Sequence, residues 1–407
     1  MKWKSLLDIL FKNNKKYKIL IITLIFILLV GIVCKGNIKK IPVICDIFSN
    51  EKNINLEQYD DYLEVVGKSK EYGDITVTLE YAVADKNILM LSFLVKNDGE
   101  EIKDLKDADI HISSFTINGK EVRLISKNNL ELLDDNQVRI VKRISLNYDD
   151  LPSNLNISMG IEKMFNKDGN WDIKFNVDTG KILKETYIEK INSSINIRDL
   201  KGKVKEVTIS PLTIKIDTAY KSYNKSRLEF LVLDEDDNEL TMVGENTSTN
   251  LNQSEYNAKY VSNAPLQKLK VIPIYYGKAN REETLISNKV NLEEFHPFYL
   301  KISDNLAIKI EDYIIQDNYI ILKYNYEYMG KVIKKDLNSL FIKYDDIIYD
   351  DVNSEEGDNI KRNHARDECK IAVFKYNNQK YFEIGCYDGS NSLLLEDYIF
   401  EVEKNKD

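Results

Sequence analysis

Hydrophobic and polar positions follow three successive patterns along the chain. Residues 3–11 carry apolar side chains at helical spacing, and residues 19–34 form an apolar run, ILIITLIFILLVGIVC, in which only Thr23 is polar. From Asp74 onward, apolar and polar residues alternate with a period of two in short runs separated by turn residues. This last pattern is typical of half-buried β-strands. The sequence therefore predicts a short amphipathic tail, a membrane span and a mainly β remainder.

The apolar run predicts a single transmembrane helix whose boundaries are Ile19 and Cys34. Its sixteen residues cover about 24 Å at ~1.5 Å per residue, which is short of a ~30 Å hydrocarbon core. Flanking Lys18 and Lys35 can extend the span because their apolar stems reach toward the headgroups. A cleaved signal peptide and a lipoprotein are the alternatives, but the bulky Val33 suits neither cleavage site.

The charges around this run predict its orientation. Six lysines and a single acid, Asp8, precede it, so the positive-inside rule places the N-terminus in the cytoplasm and the bulk of the chain outside. In the tail, one predicted helical face could lie on the membrane surface or dock a cytoplasmic partner. That face comprises Trp3, Leu6, Leu7, Leu10 and Phe11.

The period-two runs predict about three tandem immunoglobulin-like antiparallel β-sandwiches. Seven runs fall between residues 75 and 177, with Asn118-Gly119 as a type I′ hairpin signal. A helix beginning near Asn55 and reaching Val66 is expected before them, because Asn55 can cap it. The predicted organisation is a tail (1–18), a transmembrane helix (19–35), a juxtamembrane segment with helix (36–70), sandwich 1 (71–180), a connector with sandwich 2 (181–296) and sandwich 3 (297–407).

The sandwiches resemble one another in sequence. Residues 81–90 (YAVADKNILM) align without a gap on residues 313–322 (YIIQDNYIIL), and both read as strand, tight turn, strand. In the second sandwich, residues 207–216 take the corresponding place, with Ser210-Pro211 at the turn. These similarities suggest an internal duplication.

Composition excludes some classes of function. The net charge is −9, and residues 1–34 carry +5, which leaves −14 on the remainder. An acidic remainder gives no electrostatic reason to bind nucleic acid. Four cysteines in 407 residues do not make a disulfide scaffold.

Two segments resemble a known family of bacterial membrane proteins. Residues 41–48 (IPVICDIF) and 72–93 (YGDITVTLEYAVADKNILMLSF) are similar to the domain-of-unknown-function family 4179, over roughly residues 15–178. The resemblance implies a single membrane span followed by an ectodomain. Many members are encoded beside extracytoplasmic-function sigma factors, which implies a sigma factor or another regulator as a partner of the tail. Members beside sigma factors commonly have a longer cytoplasmic region than the eighteen residues found here.

No constellation of catalytic or metal-binding residues is visible. The three histidines, His111, His296 and His364, are far apart, and neither G-x-S-x-G nor a phosphate-binding loop occurs. We therefore predict no enzymatic activity and no cofactor. One acidic run has calcium-loop spacing, but Glu239 replaces its glycine, so a solvated hairpin tip is expected. That run comprises Asp234, Asp236, Asn238 and Glu245.

Cys369 and Cys386 form a predicted disulfide pair. Two strand-like runs, 370–376 and 379–385, flank Asn377-Asn378, a pair that tolerates a type I′ turn. A hairpin closed there would place the two cysteines opposite each other, with Cα atoms about 4.5 Å apart. The alternative is two free thiols on unrelated strands.

Two functions remain in competition. The first is a membrane-anchored extracytoplasmic sensor or binding protein, whose ectodomain meets an unknown envelope ligand or protein and whose tail signals to a sigma factor or other regulator. The second is a structural or adhesive module of the cell envelope without a signalling role.

Overall fold

A computed structural model describes residues 61–404, except 147, 149, 223–225, 251–252, 263–265, 278–284, 338, 345–346, 353, 365–368 and 388–391. Over these residues the chain is mainly β, and its sheets are antiparallel and pack in pairs around hydrophobic cores. No helix in the described part is long and apolar enough to span a membrane. The predicted span and the tail face lie outside it.

The first pair of sheets, here the first sandwich, is built from ten strands. One sheet has the order β1-β2-β3-β7-β6, and the other has the order β10-β8-β4-β5 with β9 beside β8. The strands are β1 (Glu64–Tyr72), β2 (Ile75–Ala84), β3 (Ile88–Asn97), β4 (His111–Ile117), β5 (Lys120–Glu121), β6 (Ser126–Asp134), β7 (Gln137–Ser145), β8 (Asn154–Met164), β9 (Lys167–Asp168) and β10 (Ile173–Asp178).

Alternation along these strands decides which residues enter the first core. In β10, Ile173, Phe175 and Val177 are buried while the residues between them are exposed. Trp171, which precedes them, is fully buried and donates its indole N–H to the Ile75 carbonyl at 3.0 Å. The predicted type I′ hairpin is confirmed, because Asn118 and Gly119 both have positive φ between paired Ile117 and Lys120.

The second sandwich begins with a short helix, α1 (Gly180–Glu185). One of its sheets has the order β11-β13-β14-β17-β16, with β12 also on β13, and the other contains β15 beside β18. The strands are β11 (Tyr187–Glu189), β12 (Ser193–Ile197), β13 (Leu200–Ile209), β14 (Ile214–Ser222), β15 (Arg227–Leu233), β16 (Thr241–Asn250), β17 (Gln253–Val261) and β18 (Lys268–Tyr276).

The third sandwich combines a sheet of order β19-β27-β24-β25 with one of order β20-β21-β22-β23, in which β26 also pairs with β22. Its elements are β19 (Leu285–Asn291), β20 (Phe298–Lys301), β21 (Leu306–Gln316), β22 (Tyr319–Tyr328), β23 (Lys331–Ile333), β24 (Leu340–Tyr344), β25 (Ile347–Asp350), helix α2 (Glu355–His364), β26 (Lys370–Lys375) and β27 (Tyr381–Tyr387).

The last two strands return to the second sandwich. Strands β28 (Ser392–Leu394) and β29 (Phe400–Glu403) both pair with β18. Val402 is fully buried in the second core, whereas the sequence pattern placed residues 297–407 together in the third sandwich. The alternation of apolar and polar residues along a segment indicates a strand, but it does not indicate which sheet the strand joins.

The sheet of β15, β18, β28 and β29 has a core on each face. Phe230 and Val232 face the second core, whereas Leu231 and Leu233 face the third. A strand buried on both faces has a nearly continuous apolar sequence instead of an alternating one, and six of the seven residues in β15 are buried. The second and third sandwiches are therefore joined through a shared layer.

Two local predictions are wrong. Strand β1 begins at Glu64, where the sequence predicted the end of a helix, because residues 64–72 pair with β2 along the sheet edge.

The second wrong prediction is the disulfide, because Cys369 and Cys386 do not face each other. Strand β26 pairs with β22, and β27 pairs with β19 and β24 in the opposite sheet, so the chain crosses between sheets at Asn377-Asn378 instead of forming a hairpin. Neither cysteine is in a disulfide, and the Cys386 side chain is buried.

The three sandwiches share one strand arrangement, which supports the internal duplication. Each has a hairpin, β2–β3, β13–β14 or β21–β22, whose first strand pairs with a preceding edge strand. In each hairpin a later strand, β7, β17 or β26, pairs with the second strand. Each hairpin also contains one β-bulge, at Leu79/Tyr81, Val204/Glu206 or Ile310/Asp312.

Candidate functional site at the junction of the first two sandwiches

Two equivalent hairpin turns meet between the first and second sandwiches. In the β2–β3 turn, Asp85 Oδ1 accepts hydrogen bonds from the backbone N–H groups of Asn87 (2.7 Å) and Ile88 (2.8 Å). In the β13–β14 turn, Ser210 Oγ accepts them from Leu212 (3.1 Å) and Thr213 (2.9 Å). Aspartate and serine stabilise turns in this way because a short side chain can satisfy nearby backbone donors.

The two turns also bond to each other. Asp85 Oδ2 accepts hydrogen bonds from Ser210 Oγ and from Thr213 Oγ1, the latter at 2.5 Å. Asn87 Nδ2 donates to Thr213 Oγ1 at 2.8 Å. Asp85 is fully buried, and a buried carboxylate is stable only when hydrogen-bond donors surround it. We call this group of four side chains the turn lock.

Lys259 on β17 extends the lock. Its ammonium group donates to the Asn87 carbonyl (2.8 Å), the Ser145 hydroxyl (2.8 Å) and the Leu146 carbonyl (3.0 Å), all in the first sandwich. Lys259 is only 2% exposed. Burial lowers its pKa to about 8, although the nearby Asp85 charge acts in the opposite direction.

An apolar cluster surrounds these polar contacts. Val83, Ile88 and Met90 of the first sandwich pack against Leu212 and Val261 of the second, and all five are buried. Buried apolar area supplies attraction between the two sandwiches, while the polar contacts set their relative orientation.

A cavity of about 240 Å³ lies beside the turn lock. The first sandwich contributes Arg143 and Ser126, and β16 of the second contributes Asn246 and Glu245. Glu245 Oε2 accepts a hydrogen bond from the Tyr256 hydroxyl at 3.0 Å. Cavities between domains are common places for small ligands to bind. The full lining is Ile88, Ile125, Ser126, Arg143, Ser145, Met242, Val243, Gly244, Glu245, Asn246 and Lys259. We call it the junction cavity.

Arg143 has no hydrogen-bond or ion-pair partner among the residues that the structure describes. Its neighbours on β7 do have partners, since Arg139 pairs with Glu131 (3.1 Å) and Lys142 with Asp109 (3.3 Å). Burial lowers the pKa of the Arg143 guanidinium, which nevertheless stays charged at any ordinary pH. The junction cavity therefore contains an uncompensated positive charge.

A second, larger groove of about 420 Å³ crosses the third sandwich. Lys289, Lys343 and Glu383 form one row across its strands, because Glu383 is opposite both lysines in the sheet register. Charges of opposite sign are thus already adjacent there. Of the two sites, only the junction cavity combines contributions from two sandwiches with a charge that lacks a partner in the described part of the chain.

Comparison with known proteins gives a family match for the part of the chain that ends with the β2–β3 hairpin. Residues 11–97 match the family described as "Domain of unknown function (DUF4179)". The family resemblance read from the sequence is confirmed. No curated protein matches the chain. A solved structure, the conserved domain protein from Bacillus anthracis, is similar over 62% of this chain and 89% of its own, with 16% identity and a TM-score of 0.47.

The DUF4179 match ends at Asn97, the last residue of β3. It therefore includes Asp85 and the whole β2–β3 hairpin, but not Arg143 or the second sandwich. It also includes the predicted membrane span. In this chain the segment thus supplies one of the two turns of the lock.

Apart from Glu245, the residues singled out from the sequence as candidates lie away from the junction cavity or outside the described residues. Trp3, Leu6, Leu7, Leu10, Phe11, Ile19 and Cys34 precede the described residues. His111 is exposed and His364 is half-buried, and they lie beside Glu162 (3.2 Å) and Gln316 (3.1 Å) respectively. No group of potential metal ligands forms within the described ranges. Of the calcium-like run, Asp234 bonds the backbone of its own turn, whereas Glu245 lies on β16 at the junction cavity.

Arg143 and Lys259 were not identified from the sequence. Arg143 shares β7 with two other basic residues, Arg139 and Lys142, and Lys259 is a single lysine within β17, so neither residue's type and position gave a signal. Asp85 and Ser210 were visible as turn residues at matching places in the two hairpins. Their meeting across the junction could not be read from either hairpin alone.

The buried ammonium of Lys259 makes stability depend on pH. Between pH 8 and 10.5, unfolded Lys259 keeps a proton that the folded state loses, so the free energy of unfolding rises with pH. We expect the free energy of unfolding of the wild type, minus that of Lys259→Met, to increase by about 1 kcal/mol per pH unit from pH 8 to pH 9.5. Urea unfolding at pH 7, 8.5 and 9.5 measures it. Tyrosines with raised pKa values act only above pH ~10, and a difference that stays constant would contradict the assignment.

Proposed function

We propose that the protein is a membrane-anchored extracytoplasmic sensor or binding protein, with three tandem immunoglobulin-like sandwiches outside the cytoplasmic membrane. In this proposal the transmembrane helix comprises residues 19–35, and the lysine-rich tail stays in the cytoplasm. The observation that carries the binding role is the junction cavity, which two sandwiches line together and in which Arg143 has no described partner. A ligand there would contact both sandwiches and change how firmly they hold together.

The signalling half of the proposal rests on the tail. Trp3, Leu6, Leu7, Leu10 and Phe11 would form one face of an amphipathic helix that docks a sigma factor or another regulator. The DUF4179 match begins at residue 11, so this face lies almost entirely before the matched segment. The ectodomain would act on the tail through the single span, without catalysis and without a cofactor.

A comparison of transcript profiles tests the signalling role. We expect a Leu7→Asp/Leu10→Asp strain to reproduce the transcript changes of a deletion strain, because two charges on the docking face would prevent binding of the regulator. The matched control is Ser5→Asp/Ile9→Asp, which adds the same charge on the opposite side of the predicted helix. A docking-face variant with a wild-type profile, at equal protein level in the membrane, would contradict the proposal.

A structural role is the second candidate, and one observation favours it. The third sandwich shares a sheet with the second, and the turn lock holds the second to the first. A chain of sandwiches joined in this way would be stiff, which suits a spacer in the envelope. In that case the deletion strain would have an envelope defect that the Leu7→Asp/Leu10→Asp strain lacks.

A further inference from the structure

Arg143 lines the junction cavity without a hydrogen-bond or ion-pair partner among the described residues. Its guanidinium contacts no acid within the described residues, although Arg139 and Lys142 on the same strand are both ion-paired. Taking a charge out of water without a partner is unfavourable. An anion bound in the cavity would supply the partner, and a planar carboxylate would fit the two parallel N–H groups of a guanidinium.

The other charges of the cavity decide how many negative charges fit. Lys259 already donates three hydrogen bonds to the first sandwich. Glu245 accepts one from Tyr256 and would repel a second acid nearby. Arg143 and Lys259 are the positive lining residues and Glu245 the negative one, and the Asp85 charge lies near Lys259. The charge left to pair is therefore the single one on Arg143, and one further negative charge pairs it. A dianion such as phosphate would bring an excess.

The remaining lining and the volume describe the rest of the ligand. Ile88, Met242 and Val243 present apolar side chains to the cavity. Its volume of about 240 Å³ falls below the ~300–1,000 Å³ that is usual for drug-sized ligands. The space thus suits a small molecule with one acidic group and a short apolar part.

We propose that the junction cavity binds a small organic monocarboxylate, whose carboxylate pairs with Arg143 and whose apolar part contacts Ile88, Met242 and Val243. The inference deepens the proposed function by naming the class of ligand. Arg143 belongs to the first sandwich, and Met242 and Val243 belong to the second. The ligand therefore bridges the two sandwiches and stabilises the junction.

Calorimetric titration of the full-length protein in lipid nanodiscs tests this assignment, with hexanoate as the probe. We expect hexanoate to bind the wild type, and to bind Arg143→Met at least tenfold more weakly. Hexanamide, which has the same shape without the charge, and inorganic phosphate should each bind the wild type at least tenfold more weakly than hexanoate. Empty nanodiscs correct for partitioning into lipid.

The matched control is Arg123→Met, which removes an exposed arginine that does not line the cavity and should leave hexanoate binding unchanged. A second measurement does not depend on the choice of probe. The ligand-free Arg143→Met protein should melt at a temperature equal to or above that of the wild type, because the half-buried charge without a partner is gone. A clearly lower melting temperature would show that Arg143 has a structural partner and would overturn the assignment.

Equal binding of hexanoate to the wild type and Arg143→Met would overturn it as well, as would phosphate binding that exceeds hexanoate binding. These results are distinct from failure of the proposed function. Arg143-dependent hexanoate binding together with a wild-type transcript profile in the tail variant would leave the site in place and remove the signalling role. The reverse combination would keep the signalling role and remove the carboxylate.

Discussion

Removing residues 392–407 should unfold the second sandwich, although these residues follow the third sandwich in the chain. The deletion takes away β28 and β29, which pair with β18, and the buried side chains of Leu395 and Val402. Each such side chain contributes about 1.5–3 kcal/mol, and partly buried Tyr398 and Phe400 add to this. The summed loss, roughly 5 kcal/mol or more, is comparable with the whole stability of a typical domain.

Limited proteolysis with mass spectrometry measures this effect. We expect new cleavage within residues 187–276 of the truncated protein, while the first sandwich, residues 64–178, stays protected. The control is a chain that ends at Lys404, which keeps both strands and should behave as the wild type does. An unchanged cleavage pattern in the longer truncation would show that β18 does not depend on the C-terminal strands.

The second large effect is expected for Asp85→Ala. The substitution leaves the Ser210 and Thr213 hydroxyls and the backbone N–H groups of Asn87 and Ile88 without their acceptor, in a fully buried place. Removing one partner of a buried charged network typically costs about 3–5 kcal/mol. Because the carboxylate bonds both turns, the junction between the first two sandwiches should loosen together with the hairpin.

The matched control for Asp85→Ala is Asp317→Ala. Asp317 is exposed at the tip of the equivalent hairpin in the third sandwich, where it has a φ of 54°. Alanine fits that conformation slightly less well, so a loss of about 1 kcal/mol or less is expected. Urea unfolding of both variants, together with Asp85→Ala/Ser210→Ala, tests the contrast. If Asp85 and Ser210 act through one network, the double variant should lose less than the sum of the single losses.

The joints between neighbouring sandwiches explain how ligand binding at one sandwich could affect another. The turn lock and Lys259 join the first sandwich to the second, and the shared sheet joins the second to the third. A ligand in the junction cavity would act at the more polar of the two joints. Buried polar contacts lose much of their strength when their geometry shifts, whereas a shared hydrophobic layer tolerates small displacements better.

The candidate site was only partly accessible to sequence analysis. Asp85 and Ser210 were recognised as turn residues because short polar side chains at such places have a local role. The disulfide prediction for Cys369 and Cys386 also used a local turn signal, and it was wrong. The same signal permits a hairpin within one sheet or a crossing between two sheets, and the choice depends on partners that are distant in sequence.

The sequence by itself determined most of the strands, the family resemblance of residues 11–97 and the repeated hairpin of the sandwiches. These follow from side-chain alternation and turn residues, whose causes act within a few neighbouring positions. Only the tertiary structure decided that β28 and β29 return to the second sandwich, that Asp85 bonds Ser210, and that Arg143 meets Asn246 and Glu245 at a cavity. Those contacts join residues about a hundred or more positions apart, and their free energy comes from burial that no local pattern records.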